Sequence, residues 1–84
     1  MNIKDYYSEL KSADDLISSN LHHKLSTSLR NILNLIGDSK QKEDLKYLYD
    51  KCEKIPFASK GTENYLEVRK ISYEVLEYIE DNLL

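Results

Sequence analysis

The sequence predicts an all-α fold, an antiparallel helical bundle of three to four helices, on three observations. Apolar residues recur at helical spacing along most of the chain, with charged residues on the opposite faces. Only two glycines and one proline occur in 84 residues, too few for the turns of a strand-rich fold. The chain is 32% charged and has no tryptophan, as expected of short amphipathic helices. At this length it forms one domain, residues 1–84, and buries only about 60–65% of its unfolded surface, which leaves little room for an internal active-site cavity.

The first helix places Ile3, Tyr6, Tyr7, Leu10 and Ala13 on one face, with Asn2 as its cap. Ser12 followed by Asp15 has the form of a capping box that starts a second helix; the alternative is one continuous helix to Ile36. Beyond it, Ile17, Leu21, Leu25, Leu29, Ile32, Leu33, Leu35 and Ile36 form an apolar face. Gly37 is expected to end this helix in a left-handed turn. Asp38 or Ser39 starts the next, with Gln41 completing a second box, and Leu45, Leu48, Tyr49, Cys52 and Ile55 lie inward. Pro56 stops it, because proline disfavours helical geometry at the residue before it and has no N–H to donate.

Phe57 to Gly61 forms a loop, and Thr62 caps the last helix, which runs to Leu84. That helix sorts its residues most cleanly. Tyr65, Val68, Ile71, Ser72, Val75, Leu76, Tyr78, Ile79 and Leu83 share a broad face, opposite Glu63, Glu67, Arg69, Lys70, Glu74, Glu77, Glu80 and Asp81. Charge is uneven along the chain. Residues 61–84 carry six acids against two bases, whereas Leu16 to Gly37 has Lys24 and Arg30 and no acid.

Chemistry is sparse. His22 and His23 are adjacent and point different ways on a helix, with no further ligand at helical spacing, so no metal site is expected. Cys52 faces inward as a small core residue, and as the lone cysteine it cannot form an internal disulfide. The acids of the last helix spread over a solvent face instead of forming a pair with divided acid and base roles. Glycine-rich phosphate loops and nucleophile elbows are absent. The expectation is a non-enzymatic protein with no cofactor, cytoplasmic and not inserted in a membrane.

The composition stands out in its seven tyrosines against one phenylalanine. Tyr47 falls on the outer face of its helix among Lys40, Lys51 and Lys54, and Leu66 and Tyr73 fall within the charged half of the last helix, beside Glu77. Exposed aromatics among charges are typical of protein interfaces. Tyr47, Lys51, Leu66, Tyr73 and Glu77 are therefore the candidate partner-binding residues. Covering a neighbouring helix or forming half of a homodimer contact are the other readings of Leu66 and Tyr73.

Residues 29–79 resemble the immunity proteins of pediocin-like bacteriocins, of the enterocin A immunity type. The likeness lies in Asn34-Leu35-Ile36-Gly37-Asp38, in the Leu-rich helix containing Cys52, in the linker Phe57-Ala58-Ser59-Lys60-Gly61, and in Thr62-Glu63-Asn64-Tyr65-Leu66-Glu67-Val68. The resemblance implies a cytoplasmic antiparallel four-helix bundle that protects a bacteriocin producer by acting with the membrane mannose-uptake receptor the toxin targets. Family members continue past the equivalent of Leu84 with a helix and tail implicated in choosing the bacteriocin. Here Met1 to Asn20 is expected to supply the fourth helix instead, and no specificity residue carries over.

Two other readings compete. One is a phage- or plasmid-encoded inhibitor that binds a host protein through the acidic last helix. The other is a helix-turn-helix DNA binder built around Gly37, Lys40, Lys42 and Lys46. Glu43, Asp44, Asp50 and Glu53 on the same helix argue against nucleic acid, as does the lack of a dense basic stripe.

Overall fold

The computed structural model describes residues 2–15, 21–56 and 63–84. These form four helices: α1 (Ile3–Asp15), α2 (Leu21–Leu35), α3 (Ser39–Lys54) and α4 (Glu63–Asn82). Among the described residues there is no strand. The expected positions of Ile17, of the loop from Phe57 to Gly61 and of the Thr62 cap lie outside them.

The N-terminal segment does supply a fourth helix. It begins in a closed reciprocal box: the Asn2 side chain accepts from the Asp5 N–H at 3.1 Å, and the Asp5 carboxylate accepts from the Asn2 N–H at 3.0 Å. The carboxylate also sits at the positive end of the helix. The break expected at Ser12 is absent, since α1 continues through it to Asp15. Leu10 and Ala13 are both buried, so packing on either side of Ser12 holds the helical phase against the local capping alternative. A single helix to Ile36 is equally excluded, because α2 is a separate element packed against α1.

α2 ends at Leu35, with the Ile36 N–H still donating to the Ile32 carbonyl at 3.2 Å. Gly37 does not adopt the expected left-handed φ. The short connector runs directly into an extended Asp38 (φ −78°, ψ 126°), whose side chain accepts from the Gln41 N–H at 3.0 Å. Gln41 turns its side-chain amide across the bundle to the Asn82 carbonyl at 3.3 Å. α3 stops as Pro56 requires: Ile55 is extended (φ −80°, ψ 128°) and its N–H returns to the Cys52 carbonyl at 3.2 Å.

Three cross-links fix α3 and α4 as antiparallel: Gln41 to Asn82, the Tyr78 hydroxyl to the Asp44 carboxylate at 3.0 Å, and Lys51 to Glu74 at 3.9 Å. Tyr7 donates to Glu80, and Asn2, Ile3 and Lys4 share a cleft with Leu83 and Leu84, so the start of α1 lies beside the end of α4. Each helix packs against its neighbours in sequence, and α4 closes the ring onto α1. α2 and α4 also meet across the diagonal, while α1 and α3 make no contact among the described residues. The result is an up-down-up-down four-helix bundle. Its core is drawn from all four helices, with Leu10, Leu21, Leu25, Leu29, Ile32, Leu45, Val68, Val75 and Ile79 fully buried. Leu35 departs from the expected face and is 48% exposed. The spacing Leu25, Leu29, Ile32, Ile36 keeps Ile36 inward and turns Leu35 off the stripe.

Candidate protein-binding surface

Of the seven tyrosines, most serve the bundle. Tyr65 is buried, and Tyr6, Tyr7, Tyr49 and Tyr78 are half-buried against the core. Tyr7 and Tyr78 each lay a ring over apolar neighbours and donate the hydroxyl to a carboxylate on the facing helix. Both phenols are raised above their ordinary pKa, Tyr7 chiefly by its hydrogen bond to Glu80 and Tyr78 chiefly by burial, then by Asp44. Phenylalanine in these positions has no group to reach the helix next door.

Tyr47 and Tyr73 remain, and both are exposed, at 66% and 47%. Tyr47 projects from α3 one turn before Lys51, whose Nζ lies 5.4 Å from the ring centroid. Lys51 also spans to Glu74 on α4, so tyrosine, lysine and glutamate form a chain across the α3–α4 seam. Tyr73 is built differently, within α4 alone. The Arg69 guanidinium lies 5.7 Å from its ring centroid, and Arg69 Nε donates to the Tyr73 hydroxyl at 3.0 Å. Each aromatic is thus held beside a cation at a distance where the ring's negative face attracts it.

Leu66 stands two turns before Tyr73 on the same side of α4 and is 60% exposed. Glu77 is exposed one turn further on, at the edge of a shallow groove of about 220 Å³ that it lines with Glu74, Tyr78, Asp81 and Asn82. The five candidate residues therefore fall into two patches, Tyr47 with Lys51 on α3 and Leu66 with Tyr73 and Glu77 on α4. Glu74 stands between them. No match to the chain is found among protein-family models, curated proteins or solved structures. The surface is accordingly read from its own chemistry.

Sequence spacing missed a third apolar feature. Leu35 and Leu84, 48% and 59% exposed, line a cleft of about 440 Å³ with Asn2, Ile3, Lys4 and Leu83, where α1 begins and α2 and α4 end. No single segment carries that signal, because three chain regions assemble the cleft.

His22, Ser26 and Cys52 are occupied structurally. His22 Nε2 is 3.0 Å from the Cys52 carbonyl, and Ser26 donates to Glu53. Burial, with a lesser contribution from Glu53, pushes the Cys52 thiol up to about 12, so it is no nucleophile near neutral pH. Among the described residues no three His, Cys, Asp or Glu side chains converge as a metal site, and no helix is long and apolar enough to cross a membrane.

Proposed function

We propose that this chain is a non-enzymatic protein-binding protein, most concretely a cytoplasmic bacteriocin immunity protein that protects its producer. Tyr47, Lys51, Leu66, Tyr73 and Glu77 are its contact residues. The observation that carries the binding reading is the pair of exposed tyrosines, each fixed against a cation on the outside of the bundle. Aromatic and arginine side chains presented this way are the groups that supply binding energy at interfaces. The immunity assignment rests on the pattern resemblance over residues 29–79, and a four-helix bundle agrees with it.

The test is protection. Expressed in a sensitive bacterium, the chain is expected to raise resistance to one or a few pediocin-like bacteriocins. Replacing Tyr47 and Tyr73 by alanine should weaken that protection and leave the melting temperature nearly unchanged. Equal loss of stability and protection would make the tyrosines structural. No protection from a folded, expressed protein would remove the immunity reading.

The acidic groove beside Glu77 favours a second reading, an inhibitor that docks a basic host protein on α4. Binding that collapses between low and high salt would support it, since screening acts on exposed charges over about 10 Å at 0.1 M ionic strength.

A further inference from the structure

From the order of residues along the outside of α4, we infer that this stripe is a self-complementary contact for a second copy of the chain. The inference builds on reading Leu66, Tyr73 and Glu77 as binding residues, and it names their occupant. At about 100° per residue, Leu66, Tyr73, Glu77 and Glu80 lie within about 60° of one azimuth, on the side away from the core. Leu84, just past the end of the helix, continues the line to about 27 Å at 1.5 Å per residue. Of the five exposed large hydrophobic residues among those described, three, Leu66, Tyr73 and Leu84, fall on it.

On this face the charges are polarised: Arg69 and Lys70 precede Tyr73, and Glu77, Glu80 and Asp81 follow it, while Glu67 and Glu74 lie about 80–100° to one side. Two such stripes laid antiparallel about a two-fold axis beside Tyr73 satisfy each other, as an isologous contact requires. Lys70 of one copy meets Glu77 of the other, and Arg69 meets Glu80. In an antiparallel pair, side chains on the same flank face each other, and Lys70 shares its flank with Glu77 as Arg69 does with Glu80. The two Tyr73 rings come together at the centre. At each end Leu66 of one copy, about 10 Å from the axis, arrives about one turn short of Leu84 of the other, about 16 Å from it.

A parallel arrangement fails, because it sets Arg69 and Lys70 against themselves. Glu80 already accepts from Tyr7, and Arg69 already holds Tyr73, so those groups are positioned before the second copy arrives. One helix face is less than the roughly 800 Å² per partner that stable complexes bury. The pair is therefore weak. Tyr47 and Lys51 stay outside it, open to a different partner.

Sedimentation equilibrium of the full chain from about 1 μM to about 1 mM tests this, with helicity followed by circular dichroism. Wild type should pass from one chain to two across that range, and Leu66→Asp should remain single. Lys70→Glu and Glu77→Lys should each raise the Kd about tenfold at low salt, as attraction turns to repulsion on both sides of the axis. Mixed in equal amounts, these two variants should pair again, because one then carries acids at both positions 70 and 77 and the other carries bases at both. A wild-type chain that stays single at 1 mM overturns the proposal. So does a dimer that ignores Leu66→Asp, or charge variants that fail to recover on mixing. Protection that survives the loss of pairing leaves the binding-protein reading standing on Tyr47 and Lys51.

Discussion

Ser72 is the most informative place to perturb the fold. Its side chain is fully buried in the middle of α4, and its hydroxyl has no hydrogen-bond partner among the described residues. Burying a hydroxyl without compensation costs about 1–3 kcal/mol in proteins. Alanine removes that cost and forms helix better by a few tenths of a kcal/mol, while giving up only one buried oxygen's packing. Ser72→Ala should therefore stabilise the bundle by about 1–2 kcal/mol. For a domain of this size each kcal/mol moves Tm by about 4–8 °C, so a rise of roughly 5–15 °C is expected. Thermal and urea melts at pH 7 read it, with an unchanged urea m-value showing that the unfolded state is not involved. Ser72→Thr, which keeps the hydroxyl and adds a methyl to a full core, should cost about 1–3 kcal/mol. A neutral or destabilising Ser72→Ala would refute the reasoning, since it would mean that the hydroxyl is bonded, most simply to the carbonyl one turn back.

Stability should fall as pH rises above about 9. Cys52, at about 12 in the fold against 9.0 unfolded, keeps a proton that the unfolded chain releases, and the raised phenols of Tyr7 and Tyr78 act with the same sign from about pH 10. Urea midpoints between pH 7 and 11 should decline, and Cys52→Ala should flatten the first part of the decline. Asp38→Ala removes the carboxylate that accepts from the Gln41 N–H and should cost about 1 kcal/mol, read as a lower urea midpoint.

The fold was largely legible because each helix writes its inner face in its own spacing. Leu21, Leu25, Leu29 and Ile32 need no knowledge of the other helices to be assigned inward, nor do Val68, Val75 and Ile79. Caps were legible when the competing forces agreed, as at Asn2 and Asp38. They misled at Ser12, where local capping opposed the burial of Leu10 and Ala13 and tertiary packing prevailed. Gly37 misled for a related reason: residue type permits a left-handed turn, but the short path to the Asp38 cap does not use it. Tyr47, Leu66 and Tyr73 were legible as exposed residues on a charged face. The Lys51–Glu74 bridge was not, since a side chain's reach across a seam depends on helix register, which appears only when the helices are assembled; the Arg69–Tyr73 contact, four residues apart within α4, was open to sequence spacing.

Register also explains why one helix can hold the bundle together and present a surface. Seven buried residues of α4 lie on the side facing α1, α2 and α3. The exposed Leu66 and Tyr73 are interleaved with them in sequence yet lie on the other side. Tyr73 follows the buried Ser72 directly, so neighbours in the chain answer to different constraints, one to packing and one to solvent or a partner. An apolar residue on the outer side gains nothing from the core and exposes apolar area to water, at about 25 cal/mol per Å² of the area a contact would cover. Covering that outer line restores this energy only if the covering surface is apolar at the ends and bears opposite charges in the middle. The proposed antiparallel pairing assigns both conditions to the α4 of a second copy.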